Sequence, residues 1–445
     1  MLINELEDLE DIMDTLVFED PPSIFNEDYA LELIETALHL MDEFMMDNPT
    51  AITEPDFHDT LLDEIKDIFY IQMEDAILSD DYIEDDMNDL LEEAFNIYIT
   101  TFHTERSLEQ QHHFLDISNK DMDVIENKIN MLKEIPQPVQ RTPEWYQFRW
   151  NLITASNAYK AFESQSSINQ LIYEKCQPLK TVNVNDEEDD VKMVNTNSPL
   201  HWGQKYEPLS VLLYEKMYQT KVGDFGCIPH KTYRFLGASP DGINIDKNAD
   251  RYGRMLEIKN VVSREITGIP KKEYWVQMQL QMEVCDLDEC DFLETKFIEY
   301  TDYESYKNDI IVAEDKMKGI IIHFYSKDGK PFYVYKPLDI VSEEEVSKWE
   351  EDTLNMYQEE PYNYIYLRFI YWKLERLSCV LVLRNKEWFK NNIPQLEKVW
   401  KIIEEERITG YEHRAPIKKA KKEFSAKPFI NLNKEEGCFL KVIKS

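Results

Sequence analysis

Two carboxylates and one ammonium carry the chemistry of this sequence. Glu257 and Lys259 lie in RMLEIKN (254–260), with only Ile258 between them. Side chains alternate faces along a strand, so i and i+2 point the same way. An acid and a base aimed at one spot either pair with each other or face a third group. Sixteen residues before Glu257, FLGASPDGINI (235–245) places Asp241 between Ser239-Pro240 and Gly242, at a strand start or turn. Asp-x(n)-Glu-x-Lys is the set that metal-assisted phosphodiester hydrolysis uses. Two carboxylates hold a hard divalent cation through oxygen. The cation polarises the phosphate and lowers the pKa of its bound water. The lysine positions that water and stabilises charge at the attacked phosphate. Glu-x-Lys alone is a common tripeptide, and on an exposed strand it is a solvated pair of little worth. The SPDG before it and the apolar runs on either side set this one apart.

Three further segments supply candidates. HWGQKYEPLSVLLYEKMYQ (201–219) carries Trp202, Tyr206, Leu209, Leu213 and Met217 at helical spacing, with Glu207 beside that stripe as a further metal ligand or an ordinary helix-start acid. KKEYWVQMQLQMEV (271–284) places Gln277 and Gln281 one turn apart on a largely apolar helix, where buried amides need partners. Gln277 can orient water or contact a phosphate; otherwise it flanks the solvent side. EWYQFRWNLITASNAYKAF (144–162) offers Ser156 as an N-cap and Arg149 as a nearby guanidinium, together an anion site or simply a cap and a side chain packed on Trp145.

The elements that position these residues follow from composition and periodicity. The 445 residues are 43% hydrophobic and 12% aromatic, enough for large cores. The net charge of −38 by itself argues against nucleic-acid binding, but it is unevenly spread. Residues 1–140 hold 38 Asp and Glu against 5 Lys and Arg, and the rest of the chain is nearly balanced. ALELIETALHLMDEFMMD (30–47) and YIEDDMNDLLEEAFNIYITTF (82–102) predict an acidic helical domain over 1–135. The prolines of EIPQPVQRTPEW (134–145) mark a linker. Short strands then alternate with helices over a 141–340 core. That core includes a polar, mobile loop at 181–199 and a hairpin at 319–338 around Asp328-Gly329. From about 342 helical patterns return, giving a 341–445 helical extension with a basic KKAKK tail (418–422), read as solvated.

His103, His112 and His113 have no ligand spacing around them and read as a polar helix end. Six cysteines at irregular spacing suit a reducing, intracellular setting. Cys285 and Cys290 read as part-buried thiols, so no iron–sulfur cluster is expected. No signal peptide or membrane-spanning run is evident, so the expectation is a soluble protein of the cytoplasm or a viral replication site, neither secreted nor membrane-bound.

In order, RTPEWYQFRWNLITAS, Gly203-x-x-x-Glu207, GASPDG, LEIK and YWVQMQLQM resemble the YqaJ-like viral recombinase nucleases, relatives of phage lambda exonuclease in the PD-(D/E)xK superfamily. The resemblance covers about residues 141–300. It implies a restriction-endonuclease-like α/β core, a mixed central sheet flanked by helices. It also implies Mg²⁺-dependent digestion of DNA ends, 5′ to 3′ on duplex. Carried onto this sequence, it makes Asp241, Glu257 and the Ile258 carbonyl metal ligands, Glu207 a further acid, Lys259 the catalytic lysine and Gln277 the helix glutamine. Arg149 and Ser156 match the residues that hold the 5′-phosphate. Mn²⁺ is expected to substitute for Mg²⁺. The acidic region and the tail after 300 lie outside the compact phage enzyme and put its trimeric ring in doubt; a dimer or trimer is expected. RecB-like, CRISPR-associated nucleases share the motifs but often carry a four-cysteine cluster that this spacing does not supply.

Two rivals stay open: a structure-specific or single-strand endonuclease of the same fold, and a catalytically silent DNA-binding scaffold. The acidic domain has several readings: docking a recombination partner such as an annealing protein or helicase, self-association, mimicry of DNA over the active site, or plain solubilisation.

Overall fold

The structure is a computed structural model that describes residues 25–48, 50–77, 81–101, 106–109, 122–138, 142–179, 195–196, 198–309 and 317–416. His103, His112, His113, most of the 181–199 loop, the KKAKK cluster and Cys438 lie outside the described residues.

The acidic region begins with helices α1 (Glu27–Asp47), α2 (Phe57–Ile77) and α3 (Asp81–Thr101). Their apolar positions recur at three- and four-residue steps and bury one shared seam, including Ala37, Met41, Leu61, Ile65, Leu91 and Tyr98. Acids fill the outward faces. A short strand, β1 (Leu108–Glu109), follows. Just before it, buried Arg106 ties the bundle to the rest of the chain. Its guanidinium donates to the carbonyls of Ile52 and Pro270, and its own carbonyl accepts from the Trp275 indole.

Helix α4 (Met122–Glu134) leads to the proline-rich linker. Thr142 then caps α5 (Pro143–Trp150), with Pro143 at its first turn, where a missing N–H costs nothing. Next come β2 (Ile153–Thr154), α6 (Ala155–Ala158), α7 (Gln165–Cys176), α8 (Pro199–Tyr218), β3 (Val222–Gly223), β4 (Ile228–Pro229), β5 (Leu236–Ala238), β6 (Gly242–Asn244), β7 (Met255–Asn260) and α9 (Lys272–Cys285). The chain continues through β8 (Glu289–Glu299), α10 (Tyr303–Asn308), β9 (Lys318–Tyr325), β10 (Pro331–Tyr335), α11 (Glu343–Gln358), β11 (Ile365–Leu383) and α12 (Lys386–Thr409).

The main sheet runs β10-β9-β11-β8-β7-β6-β3, with β1 on the far end of β11. It is mixed: β7 and β8 are parallel, and the other neighbours are antiparallel. A small sheet, β2-β5-β4, lies beside it. The parallel β7–β8 pair needs a crossover, and α9 supplies it. On one face α8 packs Tyr206, Leu209, Leu213 and Tyr214 onto Leu256, Ile258, Leu293, Phe297, Ile321 and Trp372. On the other face Trp275, Val276 and Met278 of α9 share a core with Met255, Phe292 and Val382. Met217 of the expected α8 stripe is exposed; the buried row turns through Tyr214 instead.

The hairpin at 319–338 forms as β9 and β10, with Gly329 at φ 75° in the connection. The C-terminal region is helical at α11 and α12. Between them β11, IYLRFIYWKLERLSCVLVL, re-enters the sheet between β9 and β8, which the sequence reading did not include. Its β-branched and aromatic content favours a strand, and its length lets it pair with both neighbours. No helix among the described residues is long and apolar enough to cross a membrane.

Candidate active site

Strand β7 explains the acid–base pair it carries. Leu256 and Ile258 point into the α8 face, so Glu257 and Lys259 point toward α9. Glu257 is fully buried, and its carboxylate is paired with the Lys259 ammonium. Two amides from α9 complete it. Gln277 Nε2 donates to Glu257 Oε1 at 2.7 Å, and Gln281 Nε2 donates to Oε2 at 2.7 Å. Gln277 also receives Lys259 Nζ at 3.4 Å through its Oε1. One helical turn separates the two glutamines, so α9 lays both amides along one carboxylate. Gln281 is fully buried and also reaches the Ser239 carbonyl at 3.3 Å.

Asp241 stands at the start of β6, which pairs antiparallel with β7. Its Oδ2 accepts the Ile258 N–H at 2.7 Å, so it meets the strand at the residue between Glu257 and Lys259. Burial pushes the Asp241 carboxyl well above the usual carboxylate range. The like charges of Glu257 and Glu207 add to this, and Lys259 and the Ile258 N–H oppose it. Glu207, half-buried on α8, thus acts on the same point electrostatically. Burial works to lower the Lys259 pKa, but Glu257 and Asp241 outweigh it and hold the ammonium above its usual range. The Lys259 ammonium also lies 4.8 Å from the centre of the Tyr274 ring.

These groups suit a hard divalent cation. Carboxylate oxygens crowd around a single ammonium, and the like charges of Glu257 and Glu207 add to the upward push that burial gives Asp241. Among the described residues no three acidic, histidine or cysteine side chains already form a metal cage. Asp241 and Glu257 would therefore need the Ile258 carbonyl, water or substrate to complete a coordination shell.

Arg149 and Ser156 meet beside this centre. The Arg149 guanidinium lies 4.5 Å from the Trp145 ring and approaches Ser239 Oγ at 3.4 Å, Thr154 Oγ1 at 3.4 Å and Ser156 Oγ at 3.5 Å. Arg149 packs on Trp145 and also faces a hydroxyl triad. Burial lowers its pKa. Ser156 is not the N-cap: Thr154 is, and Asn157 Oδ1 closes the cap by accepting the Thr154 N–H at 3.0 Å. The S/T-x-x-N spacing from Thr154 competes with the Ser156 reading, and the extended backbone of Thr154 at the end of β2 decides it. Ser156 is left exposed in the first turn, with its hydroxyl toward Arg149.

Residues 144–288 match the YqaJ-like viral recombinase domain. This matched segment contains every candidate residue from Arg149 to Gln281. Over 311 residues the chain is 30% identical to "Uncharacterized protein R354" of Acanthamoeba polyphaga mimivirus, covering 62% of this chain and 54% of that protein. The chain thus spans about half the length of this curated relative. Among solved structures, the alkaline exonuclease LHK-Exo of Laribacter hongkongensis aligns at 18% identity over 61% of this chain and 100% of its own, with a TM-score of 0.33. LHK-Exo in complex with dAMP gives 18%, 60%, 94% and 0.34 for the same quantities. A phage-related exonuclease of Haemophilus somnus 129PT gives 12%, 57%, 94% and 0.30.

The sequence reading missed Ser239 and Thr154 as participants and named Gln281 without its partner. Gln281 was visible one turn from Gln277, but nothing in the pattern showed that both would reach one carboxylate. Ser239 belongs to the SPDG signal yet reads there only as a turn residue. Thr154 was hidden by its neighbour Ser156. Cys285 and Cys290 are buried, and burial raises the Cys285 thiol to about 12.

Proposed function

We propose that this protein is a metal-dependent deoxyribonuclease that shortens linear duplex DNA from 5′-phosphorylated ends in recombination, repair or viral DNA processing. The observation that carries the reading is the meeting of Asp241, Glu257 and Lys259 at adjoining strand ends, with Gln277 bridging the acid and the base. The match of residues 144–288 to the recombinase domain supports it.

Asp241, Glu257 and the Ile258 carbonyl would hold Mg²⁺ or Mn²⁺, with Glu207 adding charge from α8. Bound there, such a cation polarises the phosphate and activates a water. The chain's own groups do the rest. Lys259 stays protonated beside two acids, so it offers a positive charge and proton donors to the attacked phosphate and does not act as a base. Gln277 fixes Lys259 and Glu257 relative to each other. Arg149, with the Ser239, Thr154 and Ser156 hydroxyls, would anchor the terminal phosphate; a guanidinium beside hydroxyls suits phosphate oxygens. DNA is the proposed substrate despite the net negative charge, because the excess of acids over bases lies mostly within residues 1–140.

The test is a 5′-phosphorylated linear duplex against a covalently closed circle with Mg²⁺, comparing wild type with Lys259→Ala. Shortening of the linear duplex alone, abolished in the variant, is expected. Cutting of the circle would replace the exonuclease reading with an endonuclease one. Inactivity on both, with Mg²⁺ and with Mn²⁺, would overturn the nuclease assignment.

A further inference from the structure

The anion anchor is built from behind by two cations that the site itself does not use. Arg149 lies in the last turn of α5, whose final carbonyls have no partner within the helix and carry its partial negative charge. Lys175, at the end of α7 and 8% exposed, donates its Nζ to the Arg149 carbonyl at 2.8 Å. Arg407 of α12 donates Nη2 to the Trp150 carbonyl at 2.6 Å. The same guanidinium donates to the Lys175 carbonyl, from Nη2 at 2.8 Å and from Nε at 3.0 Å. It also stacks 3.5 Å from the centre of the Trp150 ring. One guanidinium therefore closes the C-terminal ends of two helices, and Lys175 links them.

We propose that Lys175 and Arg407 are positioning residues for the terminal phosphate: they fix the end of α5 so that the Arg149 guanidinium faces the Ser239, Thr154 and Ser156 hydroxyls. This rests on the reading of Arg149 as the phosphate anchor. It gives α12, which lies beyond the recombinase-domain segment, a role in recognising the DNA end. Among the described residues, no carboxylate is hydrogen-bonded to Arg149, Lys175 or Arg407. Glu174, next in sequence, is turned to Lys160 and Gln170. Two guanidiniums and an ammonium held together, with Glu174 and Glu404 nearby but not hydrogen-bonded to them among the described residues, leave positive charge for an external anion.

The groups facing Lys175 are Arg149 from α5, Arg407 from α12, Cys227 from the approach to β4, and Glu174 on its own helix. Burial, and then the two arginines, bring the Lys175 ammonium down to about 7, against the smaller opposing effects of Cys227 and Glu174. The free anchor thus sheds one positive charge as pH rises through neutrality, and a bound phosphate favours its return.

The experiment measures kcat and KM of the full chain on linear duplexes with 5′-phosphate or 5′-hydroxyl ends at pH 6.5 and 8.5. It compares wild type, Lys175→Met and Lys175→Arg. Wild type is expected to prefer the phosphorylated end through KM. Lys175→Met should raise KM for that end by about tenfold more than for the hydroxyl end, the scale of one charge-assisted contact. Wild-type KM for the phosphorylated end should rise between the two pH values. Lys175→Arg, charged throughout, should flatten that rise, with the Met variant supplying the phosphate's own titration. A Met variant that raises both KM values equally, or neither, would reduce Lys175 to a structural role and overturn the proposal. If Lys175→Met fails to fold, a Lys175→Arg profile identical to wild type overturns it. A wild type with no preference for the phosphorylated end would remove the anchor reading itself, and this proposal with it.

Discussion

Replacing Gln281 by Leu tests whether α9 holds the acidic centre in place. The change keeps the side chain's size and removes one amide. Glu257 is fully buried and, among the described residues, holds three side-chain donors, of which Gln281 alone serves Oε2. Without it that oxygen faces an apolar side chain in a water-poor site. A hydrogen bond to a charged group contributes roughly 1.5–3 kcal/mol, and a buried acceptor left unsatisfied costs at least as much. If half or more of that loss falls on the transition state, kcat drops roughly tenfold to a hundredfold, since about 1.4 kcal/mol is one decade. The Ser239 carbonyl loses its 3.3 Å contact as well, so some stability is lost too. The assay is steady-state degradation of a linear duplex with Mg²⁺, alongside thermal unfolding and DNA binding without turnover. The expected pattern is a reduced kcat with DNA affinity within a factor of two. A folded Gln281→Leu variant with wild-type kcat would show that Glu257 needs no support from this amide and would refute the reasoning.

Asp241→Asn removes one of the acids that face Lys259; calorimetric titration should show Mg²⁺ or Mn²⁺ affinity lower by at least tenfold, in a chain that unfolds at or above the wild-type temperature because a buried carboxylate beside two other acids is gone. Gly242→Ala puts a methyl into Val222 beside Asp241 and should cost roughly 1–3 kcal/mol of stability in denaturant titration. His323 is 2% exposed, neither ring nitrogen has a hydrogen-bond partner among the described residues, and burial, with Arg368 and Lys205, lowers its pKa to about 4. Its unfolded-state value is higher, so the unfolded chain binds more protons between about pH 6.5 and 4 and stability falls as pH drops through that window, by roughly 3 kcal/mol at most. His323→Phe should flatten this acid limb in chemical denaturation between pH 4 and 7, with no loss at pH 7. Arg106→Met strands the carbonyls of Ile52 and Pro270 and should destabilise the docking of the acidic helices by on the order of 3 kcal/mol, read as faster limited proteolysis ahead of residue 122.

The sequence alone determined the local devices. Periodicity located the acidic helices, because an amphipathic helix must repeat its apolar residues every three or four positions. Alternation put Glu257 and Lys259 on one face of β7, because the strand period is two. The SPDG turn marked Asp241, and the order of five motifs gave the resemblance. What the sequence left undetermined depends on contacts between residues far apart in the chain. Nothing local distinguishes a glutamine facing water from Gln281, whose partner lies 24 residues upstream on another element. Nor does local pattern place β11 between β9 and β8, since strand order follows from which apolar faces can be buried together. Lys175 and Arg407 belong to none of the motifs that the sequence pattern singles out. Only the packing of α7 and α12 against the end of α5 turns them toward the Arg149 and Trp150 carbonyls, where Lys175 adds to the Leu152 N–H on the first and Arg407 serves the second, because a helix-end carbonyl takes whichever donor the tertiary fold delivers.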